Sequence, residues 1–134
     1  MASPLLQQIL RFGAVGAVGF LVDGGLLWLL VASEVNPYLA RALSFPTAVF
    51  VTWALNRSWT FREANEASRK GQLRRYFSVQ VVGTLTNYVL YSIVITVFGT
   101  AGVVIFWGFA LGSLCAAIIN FLGARLFAFR PTDQ

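Results

Sequence analysis

The residues able to do chemistry in this chain are few, and they stand in unusual places. Asp23 lies in the stretch GFLVDGGLL (19–27) and is the single charge between Arg11 and Glu34. Arg41, Asn87 and Asn120 also sit within long apolar runs, and Arg57 and Arg125 stand where two such runs end. A carboxylate in the middle of a membrane helix costs about 2.5–3.5 kcal/mol, so it is kept there by a partner or a use. A carboxylate, guanidinium groups and carboxamides in such surroundings are suited to binding. They can pair with a phosphate or pair with one another. The chain has no histidine and one cysteine, Cys115. A Ser-His-Asp triad, a His-ligated metal and an intrachain disulfide are therefore beyond its means. No nucleophile–base pair is visible either. The expectation is a binding or transport protein, not an enzyme, with no metal and no cofactor.

The elements that position these residues follow from composition. Of 134 residues, 57% are hydrophobic and 11% charged, with a mean hydropathy of +0.72. A water-soluble fold of this size needs a largely polar surface, which these residues cannot supply. The net charge of +5 fits cationic loops facing anionic lipid better than nucleic acid, which is not expected as a partner. Four apolar stretches, near 12–33, 38–57, 76–98 and 101–124, are each long enough to cross ~30 Å of hydrocarbon. Short turn signals, SEVNP and FGTAG, separate the first two and the last two. The central segment REANEASRKGQLRR (62–75) reads as a short amphipathic helix at the membrane surface. The first run is long, is interrupted by Asp23 and has no clear small-x-small cleavage site, so it reads as a retained span. Arg11, Arg57, Arg62, Arg69, Lys70, Arg74, Arg75, Arg125 and Arg130 fall on one side of this arrangement, with only Arg41 towards the other. The positive-inside rule then places both termini and the central loop in the cytoplasm. Trp59, Phe61, Tyr76, Phe77, Phe127 and Phe129 near that face, and Trp28, Tyr38 and Trp107 towards the other, make two aromatic belts.

The chain also repeats itself. RFGAVGAVGFLVDGGLL from Arg11 aligns with RYFSVQVVGTLTNYVLY from Arg75 at a shift of 64, pairing Gly19 with Gly83 and Asp23 with Asn87. NRSWTFR (56–62) aligns with ARLFAFR (124–130) at a shift of 68, pairing Arg57 with Arg125. A four-residue insertion separates the two shifts. Each half is a two-span hairpin, and an even span number gives both copies one orientation, a parallel repeat. The fold expected is an all-α membrane protein of one domain (1–134), with repeats at about 11–62 and 75–130.

Asp23 lies ~18 Å of helical rise beyond Arg11, close to mid-bilayer. Gly16, Gly19 and Asp23 share one helix face, as do Gln80, Gly83, Asn87 and Tyr91. Such polar groups can be interhelical hydrogen-bond glue or can line a wet path. Arg41 is the natural partner of Asp23, with a Cα ~6–9 Å nearer the turn if the spans are antiparallel neighbours. It could instead snorkel to the interface. Pro46 removes the donor for the Ala42 carbonyl in the same span. Gly108, Gly112, Ala116 and Asn120 recur at every fourth position, a small-residue seam for packing within or between subunits. Arg57 and Arg125 could hold a lipid phosphate or simply set topology. GAVGAVG (13–19) follows no strand and is not a phosphate loop.

VGAVGFLVDGGLLWLL, then LARALSFPTAVFVTWALNRSWTF, then NFLGARLFAFR together resemble the GtrA family of small four-span bacterial inner-membrane proteins, from about Arg11 to Arg130. Asn56, Arg57, Trp59, Thr60 and Phe61 match the end of that family's second span, and Asn120, Phe121, Arg125, Phe127 and Phe129 match its fourth. Thr52 departs from the pattern, which often has an Asn there. The resemblance implies translocation of a polyprenyl-phosphate-linked sugar to the outer leaflet, for surface polysaccharide or cell-wall synthesis. It also implies a membrane glycosyltransferase as supplier of that lipid. On this expectation Asp23, Arg41, Asn56, Arg57, Asn87, Asn120 and Arg125 meet the substrate, and Gly108, Gly112 and Ala116 seal a homodimer or pack helices. The alternative is a non-transporting scaffold for that glycosyltransferase.

Overall fold

The computed structural model describes residues 2–64 and 69–130. About 90% of the described residues are helical, and among them no strand occurs. Among the described residues, four helices are long and apolar enough to cross a membrane: α1 (Pro4–Ala32), α2 (Pro37–Leu55), α3 (Arg69–Phe98) and α4 (Gly102–Gly123). The chain divides into two compact units, one holding α1 and α2 and the other α3 and α4.

In the first unit both helix starts are written in the sequence. Ser3 accepts a hydrogen bond from the Leu6 amide, Asn36 accepts one from the Tyr38 amide, and Pro4 and Pro37 occupy first-turn positions that need no donor. The turn between α1 and α2 closes with the Val35 amide donating to Leu30, and Glu34 takes the left-handed conformation (φ 65°). α2 does not stop at Leu55. It widens into a π-helical turn at Asn56–Thr60, in which the Phe61 amide donates to the Asn56 carbonyl at 2.8 Å.

The second unit repeats this plan. Gly99 supplies the positive φ (91°) after α3. α4 likewise runs into a π-helical turn, Ala124–Ala128, where the Phe129 amide donates to Ala124 at 2.7 Å. Relative to the first hairpin, α3 ends later and α4 begins earlier, so the four-residue insertion is absorbed as added helix at the turn end.

One expectation changes. Arg69–Arg75, read as part of a separate surface helix, are the first two turns of α3, continuous with its apolar part. The pattern is polar there, but nothing in it breaks a helix, and Arg, Lys and Gln are good helix formers. Arg62–Ala64 form a short 3-10 turn, and residues 65–68 of that segment lie outside the described residues.

Candidate functional site

In the first unit, Asp23 and Arg41 meet. Arg41 Nη1 donates to Asp23 Oδ2 at 2.5 Å, joining α1 to α2. The two side chains differ in surroundings: Asp23 is 19% exposed and Arg41 51%. The guanidinium also lies 5.7 Å from the centroid of the Phe45 ring, one turn further along α2. Asp23 Oδ1 is buried and accepts no hydrogen bond. Around Pro46, the hydroxyls of Ser44 and Thr47 bond back to the carbonyls of Arg41 and Leu43. Close approach of the two helices depends on Gly19, where an added Cβ would run into the Thr52 side chain. The departure from the family pattern at Thr52 therefore sits at a helix contact.

At the other end of this hairpin stands the π-helical turn. Arg11 of α1 donates to the Trp59 carbonyl (3.3 Å) and lies 5.5 Å from the Trp59 ring centroid. Phe12 meets Phe61 edge to face at 6.3 Å. Arg57 lies over the Trp53 ring at 5.9 Å, and Asn56 is buried. The second unit reproduces the arrangement at the repeat-related positions. Arg75 donates from Nε to Phe127 (3.1 Å) and from Nη2 to Ala128 (3.2 Å), and Tyr76 meets Phe129 edge to face at 5.8 Å. Carbonyls at a helix C-terminus have no intrahelical donor; Arg11 supplies one and Arg75 two. The alignment of Arg11 with Arg75 was legible in the sequence, but this use of the two arginines was not. A main-chain acceptor leaves no side-chain signature, and no residue pattern announces a π-turn. Arg125 is exposed.

Asn87 and Asn120 belong to the second unit and touch helix backbone rather than each other. A Cβ on Gly112 would lie 2.5 Å from Asn87 Oδ1 and 2.7 Å from its carbonyl oxygen; one on Gly83 would collide with the Asn120 amide. Asn120 Oδ1 is buried and accepts no hydrogen bond. Gly108 faces Val94 and Tyr91. With Gly112 and Ala116 it is buried, so the seam of α4 is covered by α3 of its own hairpin and is not a free face for a second copy. The first unit has the matching seam at Ala40, Ser44 and Ala48, all buried. The sequence does not reveal it, because this pattern contains no glycine and which side of α2 faces α1 is not a local signal.

The candidate residues thus form separate sets. The Asp23–Arg41 pair lies along the first hairpin, Asn56 and Arg57 lie at its π-turn, and Asn87, Asn120 and Arg125 lie within the second. Among the described residues no group of three or more His, Cys, Asp or Glu side chains is placed to hold a metal ion.

Comparison with known proteins gives this geometry a context. The family model described as GtrA/DPMS, transmembrane domain, matches residues 11–132. The dolichol-phosphate mannosyltransferase of Pyrococcus furiosus is 26% identical over 90 residues, covering 67% of this chain and 26% of that protein. The uncharacterized membrane protein YngA of Bacillus subtilis is 24% identical over 124 residues, covering 92% of this chain and 80% of that protein. The chain therefore spans about a quarter of the length of the mannosyltransferase and most of the length of YngA.

Proposed function

This chain belongs to the GtrA/DPMS transmembrane-domain family, and from that premise we propose that it moves a polyprenyl-phosphate-linked sugar across the bacterial inner membrane. The observation that carries the reading is the family match over nearly the whole of a multi-pass membrane chain. A chain of this kind can act on a lipid substrate from within the bilayer. Such a substrate has an apolar tail, an anionic phosphate and a polar sugar. The tail stays in the hydrocarbon, and the protein has only to shelter the head. The Asp23–Arg41 pair supplies charge along the apolar part of the first hairpin. Arg57 and Arg125 supply it where α2 and α4 give way to π-turns. No bond is made or broken, so the reading needs neither nucleophile nor cofactor. The cation distribution favours an orientation with both termini and the 58–75 segment in the cytoplasm, where a membrane glycosyltransferase would deliver the lipid.

One observation favours a second reading. The part of the mannosyltransferase that this chain resembles is about a quarter of that protein, so the same transmembrane unit can accompany a transferase. This chain would then hold such an enzyme at the membrane without transporting anything. Purified protein reconstituted alone into lipid vesicles loaded with a polyprenyl-phosphate sugar separates the two. Translocation predicts that the sugar of inner-leaflet lipid becomes reachable from outside at a rate set by the amount of protein. A rate equal to that of protein-free vesicles, together with transferase activity that depends on binding this chain, supports the scaffold.

A further inference from the structure

The Asp23–Arg41 pair is built unlike an ordinary structural ion pair. Arg41 stands ~6 Å along α2 from Pro37, whereas Asp23 stands ~14 Å back from the end of α1 at Ala32. Helical side chains tilt towards their helix N-terminus, which for α2 is the turn end. Arg41 therefore reaches against its natural direction to meet a carboxylate lying deeper in the hairpin. It spends one N–H on Asp23 Oδ2, leaves Asp23 Oδ1 buried without a donor, and keeps half of its own side chain exposed. The planar fork of a guanidinium matches two oxygens of a phosphate, and here it holds one oxygen of a carboxylate.

The second hairpin acts as a control within the same chain. At the positions related to Asp23 and Arg41 it carries Asn87 and Phe109, so both charges are gone together. It still packs through the same small-residue seam and ends in the same arginine-capped π-turn. Hairpin formation does not require the pair.

We propose that Arg41 is an exchange site for a phosphate group. Its guanidinium rests on Asp23 and transfers to the phosphate of an incoming ligand, and Asp23 competes for it so that the anion is later released. Identifying that ligand as a lipid-linked phosphate rests on the translocation reading above, whereas the exchange itself does not.

The test is equilibrium binding of a radiolabelled short-chain prenyl phosphate to the full chain in nanodiscs. The uncharged prenol serves as tail control and inorganic phosphate as competitor. Asp23→Asn removes the competitor and should tighten prenyl-phosphate binding roughly tenfold. Asp23→Asn/Arg41→Gln, which leaves no uncompensated charge to unfold the hairpin, should bind at least about tenfold more weakly than Asp23→Asn. Prenol binding should be indifferent to both. Competition by inorganic phosphate supports an anion taken from solution, and competition by prenyl phosphate alone supports one carried by lipid. Unchanged or weaker binding in Asp23→Asn, or a double variant equal to Asp23→Asn, overturns the proposal. If translocation is then still seen in vesicles, only the exchange site fails. If exchange is seen without translocation, the functional reading fails and the site stands.

Discussion

Asp23 and Arg41 carry the sharpest expectations at the scale of single residues. If Asp23 releases a phosphate from Arg41, Asp23→Asn binds more tightly and lets go more slowly. Its initial translocation rate should fall about tenfold while its helical content by circular dichroism stays that of the parent. A variant that loses helix instead would mark Asp23 as structural. The proximity of this pair was legible in the sequence by helical rise, which left open whether Arg41 meets Asp23 or snorkels to the interface. The exposure of Arg41 was not, since it depends on which neighbours cover the guanidinium. Arg11 and Arg75 show the opposite case. Their charge read as topology, and the structure gives them main-chain carbonyls to hold. Arg75 makes two such bonds and Arg11 one. Charge-assisted bonds contribute about 1.5–3 kcal/mol each. Arg75→Ala should therefore destabilise the protein by about 3 kcal/mol and Arg11→Ala by roughly half as much, measured by thermal unfolding in detergent.

At the scale of elements, the two hairpins combine small-residue seams with large buried side chains such as Phe61, Tyr76 and Phe129 at their π-turn ends. The side chains of Phe20, Trp28, Tyr88, Phe106 and Trp107 are mostly exposed, as suits lipid-facing helices, while Ala40, Ser44, Ala48, Gly108, Gly112 and Ala116 are buried. Gly112→Ala places a methyl against the Asn87 backbone, which cannot swing aside, and should cost about 1–3 kcal/mol. Gly24→Ala meets nothing within 4 Å and should be neutral or slightly stabilising in the same unfolding measurement. The spans and turns were readable because apolar length, Pro and Asn caps and Gly99 are local signals. The π-turns and the seam of α2 were not. The first is a change in hydrogen-bond spacing with no composition of its own, and the second needs knowledge of which side of α2 faces α1.

At the scale of the whole molecule, the distribution of cations predicts an orientation that can be checked directly. In a Cys115→Ser background, single cysteines at Ser3 and Ala64 should react with a membrane-impermeant thiol reagent only after the inner face is opened. Those at Ser33 and Thr100 should react in intact cells. An expected orientation was legible because it depends on counting charges on either side of the spans. Activity was not, because no residue set in the chain specifies a sugar, and the lipid-linked substrate enters through kinship with a family. The central claim is that this chain alone carries the polar head of that lipid through the bilayer. The most direct measurement is the fraction of a polyprenyl-phosphate sugar reachable from outside sealed vesicles, followed in time as the protein-to-vesicle ratio is raised. The account predicts that this fraction climbs from the outer-leaflet share towards the whole pool as more vesicles gain a copy. A fraction that stays at the outer-leaflet share at every ratio would contradict it.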